Sequence, residues 1–231
     1  MTRTIDTPSF ELSLVRYCSP TLAGLKPAAL FTFSGVYAAE ANACGDEKAE
    51  IVRRRAALLD VIARCEATLA HAGIRIRVLV WRACGALVYV YRPNALHEHL
   101  ADKQALEQLA SQGYDASDLD GCITRLADRI ALASKHHAET VTIGSCDLDT
   151  ACDRNCGCAF PHEIGFFLGY PTDDVLGFIA HEGRDYLAVG PWKVYTHLEQ
   201  ALATFERYRR CTETYSRVYQ RGCCLARLAR A

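Results

Sequence analysis

Four cysteines lie close together in the C-terminal half of the chain, at Cys146, Cys152, Cys156 and Cys158, and His162 follows them. Thiolates and imidazoles are the ligands that zinc prefers in proteins, and four of them close a tetrahedral site. The spacing C-x5-C-x3-C-x-C lacks the C-x2-C pairs of common zinc and iron–sulfur sites. The segment therefore leaves two interpretations open: a Zn or Fe–S site formed by these cysteines, or a set of free thiols.

A second candidate chemistry joins Cys18 to His162. Ser19 and Pro20 follow Cys18 and are typical of a helix start, where the helix dipole stabilises a thiolate. His162 lies 144 residues downstream, within the range at which papain-like enzymes place their base. Asp174 is the carboxylate chosen to orient the imidazole, because Glu163 would point away from it on a helix. The alternative is that Cys18 is an apolar core residue and His162 a polar group at a helix start.

The predicted reaction is acyl transfer without a cofactor. Cys18 would attack a thioester or amide carbonyl, His162 would move the proton, and the acyl group would pass to water or to an amine. The expected partner is a small-molecule or carrier-bound acyl substrate. The competing interpretations are a metal- or redox-responsive module built on residues 146–158, and an interaction domain without chemistry.

Several other classes have no support in the sequence. The zinc-protease motif fails because the residue four positions after His162 is Phe166, and no phosphate-binding loop, dinucleotide fingerprint or nucleophile elbow is present. A net charge of -1 offers no general attraction for nucleic acid. No apolar run is long enough for a membrane span, and the first ten residues do not form a signal peptide. A cytoplasmic location is therefore expected, in which most of the twelve cysteines are thiols or ligands.

The periodicity predicts a helix-rich α+β fold with a small, mainly antiparallel sheet, in one domain over residues 1–231 that carries a Cys-rich loop at 146–158. Strands are expected at residues 30–33, 74–81, 86–91, 140–143, 186–189 and 192–195. Helices are expected at residues 10–17, 46–71, 94–100, 102–111, 117–134, 161–168, 172–180 and 198–219, with a short one beginning at Ser19-Pro20.

Two glycines inside predicted helices have no local explanation. Gly165 and Gly177 each cost helix stability, and the simplest reason for them is that another element packs where a side chain would lie. We therefore expect the two helices that carry them to be buried against the strands at residues 186–195, with His162 facing the segment that follows Cys18. Leucine at either position should overpack this contact.

Five short motifs together resemble a known bacterial family. They are the SPTLAGLKP segment at residues 19–27, FPHEIG at 160–165, LGYP at 168–171, DV at 174–175 with GF at 177–178, and WKVY at 192–195. The combination is similar to domain-of-unknown-function family 3793, over nearly the whole chain from Cys18 to the last helix. The family name carries no activity, so the resemblance implies one domain and not a reaction. In the family pattern a cysteine precedes the first motif, as Cys18 does, whereas Cys146, Cys152 and Cys156 look like a local elaboration.

Overall fold

The computed structural model describes residues 5–39, 44–140 and 161–230, with the side chains of 135–140 left aside. The helices are α1 (Thr7–Leu22), α2 (Gly45–Leu69), α3 (Pro93–Leu100), α4 (Lys103–Ser111), α5 (Leu119–Thr140), α6 (Ile164–Phe167), α7 (Thr172–Ala180), α8 (Leu198–Gln220) and α9 (Leu225–Leu228). The strands are β1 (Ala28–Ser34), β2 (Arg75–Trp81), β3 (Gly85–Tyr91), β4 (Ala188–Val189) and β5 (Lys193–Val194). The prediction of a helix-rich α+β fold is confirmed.

Strand β3 is the centre of a three-stranded antiparallel sheet with the order β1-β3-β2. Every residue of β3 is buried, because helices cover both faces of the sheet. Ala86, Val88 and Val90 pack in one apolar cluster with α1, α2 and α9, whereas Leu87, Tyr89 and Tyr91 pack in a second cluster with α3 to α7. The period of two along a strand thus divides the core into two layers. Strands β4 and β5 form a separate antiparallel hairpin.

One side chain of β2 departs from the regular alternation of a strand. The alternation at residues 74–81 places Val80 on the same face as Ile76 and Val78, but Val80 packs in the opposite cluster. The register of β2 against β3 shifts between Val78 and Val80. A bulge adds one residue to a strand and moves the following side chains to the other face, which explains the difference.

The first helix does not end at Cys18, as the Ser19-Pro20 pair had suggested. Helix α1 continues through Pro20 to Leu22, and Cys18 and Leu22 extend its fully buried stripe at intervals of four residues. Pro20 lacks an N–H and costs one helical hydrogen bond. Burial of this stripe outweighs that local cost. Cys18 therefore lies inside a helix and not before one, so the proposed stabilisation of its thiolate by a helix N-terminus is wrong.

Smaller differences concern element lengths. Helix α6 is a single turn and does not fill the expected residues 161–168, α5 extends to Thr140, and α9 was not expected. Thr140 is helical instead of beginning a strand, and residues 141–143 of that expected strand lie outside the described residues. Over the described ranges, no helix combines the length and apolarity needed to cross a membrane.

The glycine expectation is confirmed for α7 and corrected for α6. A Cβ added to Gly177 would lie 2.6 Å from Cγ of Tyr195, which follows β5, so α7 does pack against the hairpin. A Cβ added to Gly165 would lie 2.7 Å from Cγ2 of Val175. Helix α6 therefore makes its close approach to α7 and not to the hairpin.

Candidate functional site

Cys18, the predicted nucleophile, is fully buried in the apolar cluster beneath α1. Burial raises the pKa of its thiol well above the ordinary range, and the nearby Lys26 charge lowers it only in part. A thiol in this environment stays protonated at neutral pH, and the thiolate is the nucleophilic form. The structure thus gives Cys18 the packing of a core residue.

His162 and Glu163 point in different directions, as expected for neighbours beside a helix. The His162 ring is exposed and lies 5.0 Å from the ring of Phe178 in α7. Desolvation lowers the pKa of its imidazole, and the charge of Glu163 raises it in part. Glu163 is buried, accepts a hydrogen bond from Tyr114 Oη at 2.9 Å and forms an ion pair with Arg129, whose Nε lies 2.9 Å away. Glu163 therefore ties α6 to α5.

Asp174, chosen to orient His162, is bonded to other residues. Its side chain is buried at the start of α7. Oδ2 accepts from Trp192 Nε1 at 2.7 Å, and Oδ1 accepts from the backbone N–H groups of Tyr195 at 2.7 Å and Thr196 at 2.9 Å. The Thr196 hydroxyl adds a bond of 3.3 Å. Asp174 fastens the hairpin to α7, and Cys18, His162 and Asp174 occupy three separate environments. Their catalytic assignment stays a prediction.

Cys146, Cys152, Cys156 and Cys158 lie outside the described residues, so the Zn or Fe–S site also stays a prediction. Within the described ranges, no three His, Cys, Asp or Glu side chains are grouped so that they could hold a metal ion.

The SPTLAGLKP motif forms the end of α1 and the turn into β1. Gly24 adopts a left-handed conformation with φ of 72°, and the N–H of Leu25 bonds to the carbonyl of Pro20 at 2.8 Å, which closes the helix. The guanidinium of Arg92 donates to the carbonyls of Thr21 at 2.7 Å and Leu22 at 2.9 Å. Arg92 thereby adds side-chain bonds to the last carbonyls of α1, and it fixes the turn that carries Lys26.

The LGYP motif packs directly on this turn. A Cβ on Gly169 would lie 2.2 Å from Cγ of Pro27, so only glycine leaves room for the Pro27 ring at this position. Tyr170 follows, and the Lys26 ammonium lies 5.0 Å from the centre of its ring, in a cation–π arrangement. Two motifs more than 140 residues apart in sequence therefore meet at Lys26.

Trp192 of the WKVY motif joins the same aromatic group. Its ring lies 5.2 Å from that of Tyr170 and 4.5 Å from that of Phe205 in α8. Tyr208, one turn further along α8, donates its hydroxyl to the carbonyl of Leu25 at 3.3 Å. These contacts hold α8 across the turn that carries Lys26.

A groove of about 520 Å³ lies between the end of α1, this turn and α8, and we refer to it as the Lys26 groove. Its volume falls in the range of small-molecule sites. The residues that line it are mostly apolar or aromatic, and the charged ones are Lys26 and the ion pair of Arg209 with Glu213. They are Tyr17, Pro20, Thr21, Lys26, Ala29, Pro191, Phe205, Tyr208, Arg209, Thr212 and Glu213.

Thr21 is a buried polar group without a partner at this groove. Its side chain is fully buried, and Oγ1 has no hydrogen bond to any described residue. The hydroxyls of Ser13 and Ser19 in the same helix instead bond back to the carbonyls of Ser9 and Val15. Leaving such a group unsatisfied costs about 1–3 kcal/mol, which is the cost that a ligand bonded to Thr21 would remove.

The Lys26 amine is held in an unusual state beside Thr21. Desolvation lowers the pKa of this amine to about 8, and the Cys18 thiol opposes the shift. No carboxylate of the described chain pairs with it. A lysine with a lowered pKa keeps part of its amine neutral near physiological pH, which is the form that acts as a nucleophile or base.

Sequence reasoning did not select Lys26 or Thr21 as site residues. Both lie inside the SPTLAGLKP motif, so the signal available was the concentration of turn-forming residues around a single lysine. Their environment is made by Tyr170, Trp192 and α8, and nothing local in the sequence shows that those elements come together there.

The chain is a helix-rich α+β protein in which the SPTLAGLKP, LGYP and WKVY motifs meet around Lys26. The chain belongs to the family described as a protein of unknown function, DUF3793, whose model matches residues 14–229. No curated protein and no solved structure matches the chain.

Proposed function

We propose that this protein binds a small molecule in the Lys26 groove, with the apolar body of the ligand among the aromatic side chains and its polar end at Thr21 and Lys26. The observation that carries the proposal is the buried Thr21 hydroxyl without a partner at a groove of ligand size. If Thr21 had only a packing role, valine would fill the same space without leaving a hydroxyl unsatisfied. A ligand oxygen bonded to Thr21 explains why a hydroxyl is present.

The charges of the groove support a ligand that is mainly apolar. Arg209 and Glu213 pair with one another, and Arg209 also bonds to Glu206, so these charges neutralise each other at one side. Tyr208 already donates its hydroxyl to Leu25. Thr21 and Lys26 therefore lie in the wall of the groove away from this paired set of charges.

The test uses 2-naphthalenemethanol, an aromatic alcohol of suitable size, and follows its fluorescence during titration with the full-length protein. Thr212→Phe places a ring in the groove, whereas Thr214→Phe places the same ring on the exposed face of α8 outside the groove. We expect the first variant to lose binding and the second to keep it. Equal binding by the two variants, or no binding by the unaltered protein, would contradict the proposal.

Thr21→Val sharpens this test. The valine has the shape of threonine but lacks the hydroxyl, so the folded protein should be as stable as before or more stable, while affinity for the alcohol falls about tenfold. A variant with unchanged affinity would show that Thr21 does not contact the ligand.

Thiol-dependent acyl transfer by Cys18, His162 and Asp174 is a second candidate. The observation that favours it is the nearby Lys26 charge, which lowers the pKa of the Cys18 thiol against the effect of burial. This function requires an opening of α1 that exposes Cys18 and brings a base to it.

Alkylation separates the two candidates. If Cys18 is a nucleophile, iodoacetamide should modify it faster than the exposed Cys84 and Cys224 near pH 7, and His162→Ala should slow that reaction. If Cys18 is a core residue, the exposed thiols should react first. Peptide mapping by mass spectrometry gives the order.

A further inference from the structure

We propose that the ε-amino group of Lys26 forms an imine with an aldehyde or ketone whose apolar body lies in the Lys26 groove. The proposal rests on the proposed function, since it assigns a chemical class to the ligand of the same groove. Lys26 lines the groove, and Thr21 supplies an unpaired hydroxyl in the same wall.

The position of Lys26 suits a reaction more than a salt bridge. The amine lies over the face of Tyr170, and the nearest carboxylate of the groove, Glu213, is bonded to Arg209. An aromatic face and an apolar lining stabilise a bound cation only moderately, and they exclude water from the amine. A ligand carbonyl in the groove would meet the nitrogen with the Thr21 hydroxyl available for the carbonyl oxygen.

The chemistry balances without an oxidant or a cofactor. The nitrogen lone pair adds to the carbonyl carbon, the π electrons move to oxygen, and a proton passes from nitrogen to oxygen to give a carbinolamine. The carbon–oxygen bond then breaks, oxygen leaves as water with the second proton of the amine, and the C=N bond forms. The imine takes up a proton from solvent. The protonated imine carries one positive charge, as the ammonium form of Lys26 does.

The amine must be neutral for the first step, and Lys26 differs from the exposed lysines in this respect. With its pKa lowered to about 8, about one tenth of the Lys26 amine is neutral at pH 7. An ordinary lysine with a pKa of about 10.4 has about 200-fold less neutral amine. Lys103 is the comparison lysine for the experiment, because its side chain is 90% exposed.

The experiment incubates the full-length protein with 2-naphthaldehyde at pH 7 in the presence of sodium cyanoborohydride, which reduces the imine to a stable amine. Peptide mapping then measures the modification of each lysine. We expect Lys26 to be modified at least about tenfold faster than Lys103, and we expect Lys26→Arg to leave only the slow background reaction. Thr212→Phe should suppress modification of Lys26, whereas Thr214→Phe should not.

The outcomes separate the inference from the function on which it rests. If 2-naphthalenemethanol binds in the groove but Lys26 is modified no faster than Lys103, the imine is excluded and the binding site stands. If Lys26 reacts quickly in both phenylalanine variants, its reactivity does not depend on the groove and the inference is wrong. If neither compound binds or reacts, both proposals fail.

Discussion

Two neighbouring regions, the Asp174 contacts and the Lys26 groove, treat buried polar groups in opposite ways. Asp174 is buried and accepts bonds from Trp192, Tyr195 and Thr196. Thr21 is equally buried, and its hydroxyl has no partner in the described chain. Trp192 connects the two regions, since its N–H bonds to Asp174 while its ring lies beside Tyr170, which contacts Lys26.

The difference separates structural from functional use of polar residues. A buried carboxylate whose two oxygens both accept hydrogen bonds from neighbouring elements holds those elements together. A buried hydroxyl without a partner, beside an amine without a counterion, costs stability that a ligand can restore. On this criterion Asp174 has a structural role, whereas Thr21 and Lys26 are the residues that we propose contact the ligand.

The largest predicted effect is at Asp174. Asp174→Asn replaces one acceptor oxygen by an NH₂ group that faces a donor, so at least one buried bond is lost and the free energy of unfolding should fall by about 2–4 kcal/mol. The matched control is Asp173→Asn on the same helix, because Asp173 is exposed and lies 4.0 Å from His197. Its effect should be below about 0.5 kcal/mol. Urea unfolding measures both, and equal midpoints would make Asp174 dispensable for structure.

A smaller effect is expected where α7 meets the hairpin. Gly177→Leu forces a side chain into the Tyr195 ring and should lower the free energy of unfolding by about 1–3 kcal/mol. Gly45→Leu is the control, because no described atom lies within 4 Å of a Cβ built there. Loss of stability confined to Gly177→Leu would confirm the contact. A Gly177→Leu variant that melts like the unaltered protein would mean that α7 stands away from the hairpin.

Much of the fold follows from local patterns. The strands β2 and β3 and the helices α2 and α8 lie close to where they were predicted, because apolar periodicity is a local property of the sequence. The predicted end of α1 was wrong because contacts with residues distant in sequence extend the helix. A Ser-Pro pair has the same local preferences at a helix start and before the last turn of a helix, and α1 continues because its apolar face is buried and Arg92 binds its final carbonyls.

The site was less predictable than the fold. Cysteine and histidine attract attention because of their intrinsic chemistry, whereas the properties of Lys26 come from burial and from the ring of Tyr170. A pKa that depends on desolvation cannot be inferred from residue type. The family motifs did contain the relevant residues, and the information that they meet in space exists only in the fold.

The smallest predicted effect tests whether burial of the charged Lys26 amine lowers the stability of the folded protein. The fold lowers the pKa of this amine to about 8, whereas the unfolded chain keeps the ordinary value of about 10.4. Between these values the unfolded chain binds more protons, so the unaltered protein gains stability relative to Lys26→Met as pH rises. Below pH 8 the penalty is constant, and Lys26→Met should be more stable by about 1 kcal/mol, since the Tyr170 ring offsets part of the desolvation.

Urea unfolding between pH 7 and pH 10 measures this difference, which should shrink above pH 8 by about 1.4 kcal/mol per pH unit and reverse in sign before pH 10. The charged neighbours do not reproduce the pattern, because Arg209 and Glu213 remain paired throughout and the Cys18 thiol stays protonated over this range. Lys193→Met is the control. Its ammonium donates to the carbonyl of Gly183 at 2.7 Å and lies 4.8 Å from the ring centre of Tyr186, so its loss should destabilise the fold. If both methionine variants lose stability at pH 7, Lys26 is a structural cation and not a strained amine awaiting a ligand.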